Sequence, residues 1–266
     1  MAPNVGPDGK VVPSVKILGV RVNMVQITGV IDLMEHWIQS RDRCHIIALG
    51  GMHGVMESRR DLTFRTILNT ADILAPDGFS LLWLARRRGF KLARRVSGTD
   101  LMSAFFRTAE SNGYKMFFYG DTDHTLELLQ NNLLENYPAL KIAGAYSPPF
   151  RPLTEAEKVA DIRMINESGA DVLWVGLGSP KQERWMHENQ DDLEVPVMSG
   201  VGAAFKFLSG QVRRAPPWLG NNGFEWLWRF AREPRRVWRR VVIDGPHFLF
   251  CVAFEKLDSR NRGKTK

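Results

Sequence analysis

Cysteine is nearly absent from this 266-residue sequence: Cys44 and Cys251 are the only two. Two widely separated thiols make neither a disulfide framework nor a zinc-type ligand set, so a reducing compartment is expected. No uninterrupted apolar stretch reaches the roughly 18 residues that a spanning helix needs, which leaves attachment to a membrane face open but argues against crossing. Met1 to Ser14 carries Pro and Gly and no apolar signal core, and reads as a flexible leader (1–14) rather than a secretory peptide. There is no complete dinucleotide fingerprint, no P-loop, no zinc-finger spacing and no basic leucine zipper. No His, Cys and carboxylate cluster suggests a metal, and no cofactor is expected.

What is present is ordinary in bulk and uneven in detail. A hydrophobic fraction of 44% and a charged fraction of 24% fit a folded chain long enough to bury a full core. The formal net charge of +7 is all in the tail: Met1 to Gly210 has 23 Lys or Arg against 24 Asp or Glu, whereas Gln211 to Lys266 has 13 against 5. Half of the eight tryptophans, Trp218, Trp226, Trp228 and Trp238, fall in the same stretch. Such asymmetry points to an acidic partner or a solvated basic face.

Short apolar runs alternate with amphipathic ones along residues 15–210. Val15 to Val22, Cys44 to Leu49, Ile73 to Ala75, Lys115 to Tyr119, Leu140 to Ala145, Asp171 to Leu177 and Val195 to Ser199 read as strands. Ile31 to Gln39, Phe79 to Arg88, Leu101 to Asn112, Thr125 to Asn136, Thr154 to Ser168 and Lys181 to Asn189 read as helices, and a helix or loop follows Gly50-Gly51. This alternation predicts an α/β, Rossmann-like layered fold with a mostly parallel sheet, joined to a helical C-terminal appendage over 211–266. Open parallel sheets bind ligands beyond the carboxyl ends of their strands. The loops to weigh are therefore Gly50-Gly51, Asp77-Gly78, Gly120-Asp121, Gly178 to Glu183 and Gly200-Val201-Gly202, each of which can also be a plain turn.

Several segments together resemble the WecG/TagA/CpsF family of bacterial glycosyltransferases. They are Ile17-Leu18-Gly19-Val20, Ala71-Asp72 through Asp77-Gly78, Arg95 to Met102, and a block from Gly176 through Arg240. That block contains Gly178-Ser179-Pro180-Lys181-Gln182-Glu183, Gly200-Val201-Gly202-Ala203-Ala204-Phe205 and Arg214-Ala215-Pro216. The resemblance implies an inverting hexosyltransferase. It would move an N-acetylmannosamine-type or related sugar from a UDP-sugar to an undecaprenyl-diphosphate-linked acceptor in surface polysaccharide assembly. It implies a cytoplasmic protein held peripherally on the inner face of the cell membrane. Asp77 matches the aspartate proposed as the family's base, and a carboxylate there can take the proton of an attacking hydroxyl; helix capping is its alternative role. Where the family often carries threonine and, two positions on, asparagine, this chain has Ala48 and Gly50, so His53 is a candidate compensating contact or the alignment is locally shifted.

The other candidate contacts follow from chemistry and resemblance together. Asp100 either caps its helix or positions substrate. Lys181 can neutralise a diphosphate, Gln182 can both donate and accept, and Glu183 can orient a ligand or favour the positive end of its helix. Gly50, Gly78, Gly178, Gly200 and Gly202 belong to the same loops, and the Gly200-Val201-Gly202 turn offers either backbone N–H groups to a diphosphate or close helix packing.

In the appendage, Phe224, Leu227, Trp228 and Ala231 form one apolar stripe and Val237, Trp238, Val241 and Val242 a second. Arg213, Arg214, Arg232, Arg235 and Arg236 are candidate contacts to the acceptor diphosphate or to an anionic membrane surface. The stripe meets membrane, the protein's own body or a second subunit in a homo-oligomer. Nucleic acid is not the expected partner, because the basic segment is joined to an enzyme-like body; a non-enzymatic scaffold of polysaccharide assembly is the alternative function.

Overall fold

In the computed structural model, which describes residues 11–92, 94–215 and 238–262, the chain opens with a hairpin rather than the single strand expected over Val15 to Val22. Strand β1 (Ser14–Ile17) pairs antiparallel with β2 (Val20–Asn23), with Ile17 opposite Val20. Leu18 and Gly19 between them have φ of 49° and 91°. A two-residue turn with both residues left-handed matches the twist of its strands, and glycine adopts that region without a Cβ clash. Gly19 was the signal that the apolar run concealed.

Six further strands form one parallel sheet in the order β4-β3-β8-β7-β5-β6. They are β3 (His45–Gly50), β4 (Ile73–Pro76), β5 (Lys115–Gly120), β6 (Lys141–Tyr146), β7 (Val172–Gly176) and β8 (Val197–Gly200). The chain is thus an α/β protein with a parallel sheet core and a helical C-terminal extension. Strand side chains alternate between two cores: Met116 and Phe118 of β5 enter one, Phe117 and Tyr119 the other. Because both faces are covered, strands such as Val172–Gly176 are buried throughout and read as continuous apolar runs.

One face carries α1 (Ile27–Ser40), α5 (Gly98–Asn112), α6 (Asp123–Asn136) and the short α9 (Ala204–Leu208). There Trp174 meets the edges of Phe105 and Phe106 at centroid distances of 5.8 and 6.4 Å. Burial of each such side chain contributes about 1.5–3 kcal/mol. The other face carries α2 (Met52–Arg60), α3 (Leu62–Thr70), α4 (Phe79–Arg87), α7 (Glu155–Glu167), α8 (Lys181–Asn189) and the final helix α10 (Gly245–Arg262). Local sequence sets their starts: Asp61 accepts from Phe64 N at 2.9 Å ahead of α3, and Thr154 with Glu157 forms a capping box on α7.

A π-helical turn, Arg239–Asp244, precedes α10. Its wider spacing breaks the 3.6-residue stripe expected there. Trp238 and Val242 are 45% and 58% exposed, while Asp244 is 4% exposed. Val237, the first stripe and Arg232, Arg235 and Arg236 lie outside the described residues.

Candidate active site

All six parallel strands end on one edge of the sheet, so the glycine-bearing loops selected from sequence converge there. The helices that follow β3, β4 and β7 cover one face, and those that follow β5 and β8 cover the other. Chains leaving neighbouring strands toward opposite faces open a crevice between them. Strand β8, between β3 and β7, stands at its centre, with Gly200-Val201-Gly202 at the floor.

Asp77 follows β4, two strands to the side of β8. Its backbone N–H donates to Gly50 O at 2.9 Å, which fixes the end of β4 against the end of β3. The loops touch closely enough that a Cβ on Gly78 would stand 3.5 Å from Gly51 Cα. Arg95 joins them: its guanidinium donates to Asp77 O at 3.3 Å and lies 3.9 Å from Asp77 Oδ1. The Asp77 side chain is 39% exposed, so the carboxylate is both charge-paired and reachable from solvent. The sequence assigns Arg95 no role within Arg95 to Met102; its place beside Asp77 depends on Val96 N donating to Pro76 O at 2.9 Å, a contact no spacing rule reveals.

From there the chain crosses to β8. A Cβ on Gly98 would be 2.7 Å from Val201 O, so the start of α5 rests directly on the central turn. Ser97 caps α5, accepting from Asp100 N at 3.3 Å. The Asp100 carboxylate receives Ser97 Oγ at 2.6 Å and both Arg214 Nη atoms, at 2.5 and 2.8 Å. Burial raises the Asp100 pKa, but Arg214 and Ser97 outweigh it and hold the carboxyl below its usual range. Asp100 and Arg214, two separate candidates from sequence, are therefore partners. Arg213 is exposed beside them.

On the other side of the floor, Gln182 is 4% exposed. Its Oε1 accepts from Gly178 N at 3.2 Å and from Gly202 N at 3.0 Å, tying the turn after β7 to the turn after β8. Its Nε2 donates to Glu183 Oε1 at 3.1 Å. Val201 N donates to Val175 O at 2.9 Å. The N–H groups of Val201 and Gly202 are thus already engaged within the protein, and close packing accounts for this turn rather than a diphosphate cradle made from those two donors. Lys181 is exposed at the first turn of α8. Ala48 is 2% exposed in the core, away from the crevice surface, and a side chain at Gly50 would meet Leu74 Cδ1 at 2.7 Å. Among the described residues no three His, Cys, Asp or Glu side chains gather as metal ligands would.

The C-terminal segment reaches this edge through α2. His53 Nδ1 is 3.2 Å from Asp244 Oδ2, and Arg60 Nη2 donates to Asp244 Oδ1 at 2.7 Å. Burial raises the Asp244 pKa, but Arg60 and His53 pull it below the usual carboxylate range. Farther along, Glu255 accepts from Leu18 N at 3.0 Å and from Arg88 Nη2 at 3.3 Å, while Phe248 is 1% exposed. The opposite side of α10 leaves Leu249, Phe250 and Phe254 between 54% and 61% exposed, with the two phenyl rings 4.4 Å apart. No helix of the described residues is long and apolar enough to cross a membrane.

Residues 15–262 match the model of a family described as the glycosyl transferase WecG/TagA/CpsF family. Among curated relatives, one from Bacillus spizizenii is 27% identical over 235 residues, covering 88% of this chain and 89% of its own. A relative from Bacillus subtilis is 26% identical over 231 residues, and one from Staphylococcus aureus strain MW2 is 30% identical over 190 residues, or 71% of this chain and 72% of that one. All three are named N-acetylglucosaminyldiphosphoundecaprenol N-acetyl-beta-D-mannosaminyltransferase.

Proposed function

Because the chain belongs to the WecG/TagA/CpsF family of glycosyl transferases, we propose that it is an inverting hexosyltransferase acting at the cytoplasmic face of a membrane. Its donor is a UDP-sugar of the N-acetylmannosamine type and its acceptor a sugar linked to undecaprenyl diphosphate, the pair suggested by the relatives' names. The product serves surface polysaccharide assembly.

The observation that carries this reading is Asp77, a partly exposed carboxylate at the mouth of the crevice with Arg95 beside it. Asp77 takes the proton of the acceptor hydroxyl as that oxygen attacks the anomeric carbon. The carbon–oxygen bond to the donor diphosphate breaks on the opposite side, and UDP leaves with the electron pair. Single displacement inverts the anomeric centre. Arg95 orients Asp77, and Lys181 with the positive end of α8 lowers the energy of the departing diphosphate. Exposed Leu249, Phe250 and Phe254, on a chain whose tail carries the net positive charge, suit a lipid surface with anionic headgroups.

The test compares intact protein with Asp77→Asn, using UDP-N-acetylmannosamine and a soluble N-acetylglucosamine-diphospho-lipid acceptor. Transfer is expected to fall by about 10²–10⁴ with UDP binding retained. Undiminished transfer by Asp77→Asn would remove Asp77 as the base. A folded wild-type protein inactive across a panel of UDP-sugars and acceptors would favour the scaffold instead.

A further inference from the structure

Glu183 is an unusual group to find at the floor of a crevice. It is 4% exposed, its Oε1 accepts from Gln182 Nε2 at 3.1 Å, and its Oε2 is buried with no hydrogen-bond partner among the described residues. Helix α8 runs back along β3, since Gln190 Nε2 at its far end donates to Cys44 O at 2.7 Å. Glu183 therefore sits at the carboxyl edge, beside the two turns that Gln182 joins.

An amide side chain has one accepting end and one donating end, and Gln182 works only one way round. Gly178 N and Gly202 N are both donors, and both need Oε1. With the amide reversed, its NH2 would face two N–H groups, leaving both without an acceptor. Inside a protein each such loss costs about as much as a hydrogen bond contributes. The acceptor held against Nε2, Glu183 Oε1, adds to what opposes reversal and holds the amide plane from its other end.

We propose that Glu183 is a positioning residue for the transfer reaction, fixing the amide of Gln182 so that the turns after β7 and β8 are held in one register around the donor. Burial drives the Glu183 carboxyl toward its neutral form, against weaker opposing contacts from its own backbone, Gln182 and Ser179. In either ionisation state Oε1 can serve as the acceptor for Gln182 Nε2. Glutamine is consequently the conservative replacement: its Oε1 can take the same hydrogen bond without a charge. Methionine keeps the length and offers no acceptor.

The role in transfer rests on the UDP-sugar reading above, and two measurements on the full-length chain separate the claims. Amide hydrogen exchange at Gly178 and Gly202 is followed in wild type, Glu183→Gln and Glu183→Met, with Phe118 of β5 as an internal control. In Glu183→Met both glycine amides are expected to exchange about tenfold faster while Phe118 is unchanged; in Glu183→Gln they stay protected. UDP binding is measured on the same samples, and it is expected to weaken about tenfold in Glu183→Met and to survive in Glu183→Gln. Unchanged glycine protection in Glu183→Met would overturn the proposal, as would loosened turns that bind UDP like wild type. Should wild type itself fail to bind UDP, the donor reading falls, and the exchange data alone decide whether Glu183 sets the register. If Glu183→Met does not fold, Glu183→Asp, with its carboxyl withdrawn by one methylene, is expected to give the same faster exchange.

Discussion

At the carboxyl edge of the sheet, neighbouring elements meet backbone to backbone: Gly98 lies against Val201 O, Asp77 N donates to Gly50 O, and Val201 N donates to Val175 O. At the C-terminal helix the buried Phe248 is joined by side-chain charges, with Asp244 between His53 and Arg60 and Glu255 beside Arg88. Backbone contacts have no rotamers to release and little response to pH or salt, whereas ion pairs respond to both. The groups proposed to react are therefore on the part held by backbone contacts. The segment that offers an apolar surface outward is attached by contacts that can be loosened without unfolding the sheet.

The largest effect is expected where there is least room. In Gly98→Ala the new Cβ would stand 2.7 Å from a backbone oxygen and 3.1 Å from Val201 Cα, so α5 or the central turn must shift. Such overpacking costs about 1–3 kcal/mol, more than the helix propensity gained, which is at most about 1 kcal/mol. Arg95, three residues earlier, would move with it, and a displacement of about 1 Å at a reacting group lowers rate roughly a hundredfold. Thermal unfolding and a transfer assay on the same variant check this; wild-type values in both would show the floor to be looser than the contact implies.

A smaller and more local effect is expected at Asp244→Asn, which keeps the volume and removes the charge shared by His53 and Arg60. Arg60 is half exposed, so solvent screens the pair and the cost is about 1 kcal/mol, confined to the docking of α10. Acidity should act the same way. The Asp244 pKa is depressed, so its contribution is present above the ordinary carboxylate value and lost as pH falls through the depressed one. Glu183 has the opposite sign: its contribution is complete below the ordinary value and lost as pH rises through its raised pKa. Hydrogen exchange across a pH series, corrected for its intrinsic pH dependence, should therefore show α10 loosening in acid while the Gly178 and Gly202 amides do not. Simultaneous release of both regions would mean that they are one cooperative unit.

The same division explains what could be read from the chain alone. The parallel strands from Cys44 onward were legible, because buried two-faced strands are continuous apolar runs cut by glycine. The hairpin was not, because Leu18-Gly19 lies inside such a run. That the loops after the strands share one edge was legible from strand ends, whereas the role proposed for Asp77 came from the resemblance alone. The pairing of Asp100 with Arg214, 114 residues apart, and of His53 with Asp244, 191 apart, was not, since no periodicity links residues on separate elements. Gln182 and Glu183 were selected for their polarity, but only the geometry shows that they serve each other and the loop backbone. The stripe over Val237, Trp238, Val241 and Val242 was drawn with a helical period that the π-helical turn does not keep.

The smallest effect on the fold, and the sharpest test of how the two regions differ, is expected from the outer side of α10. Phe250 and Phe254 are 61% and 54% exposed, whereas Phe248, two residues before Phe250, is 1% exposed. Replacing both outer rings, Phe250→Ser with Phe254→Ser, removes little that the protein itself buries, so stability should change by no more than about 0.5 kcal/mol for each. Insertion of a phenyl ring into a lipid interface is worth up to about 1.5–3 kcal/mol, so flotation with anionic vesicles should weaken by about tenfold or more. Transfer to a soluble acceptor should persist, because both rings are exposed on α10 and belong to none of the loops that follow the strands. If the double variant floats as well as wild type, the outer face of α10 is not the membrane contact. If wild type binds neutral and anionic vesicles equally, the apolar face acts without the basic tail, and the charge asymmetry of the sequence needs another partner.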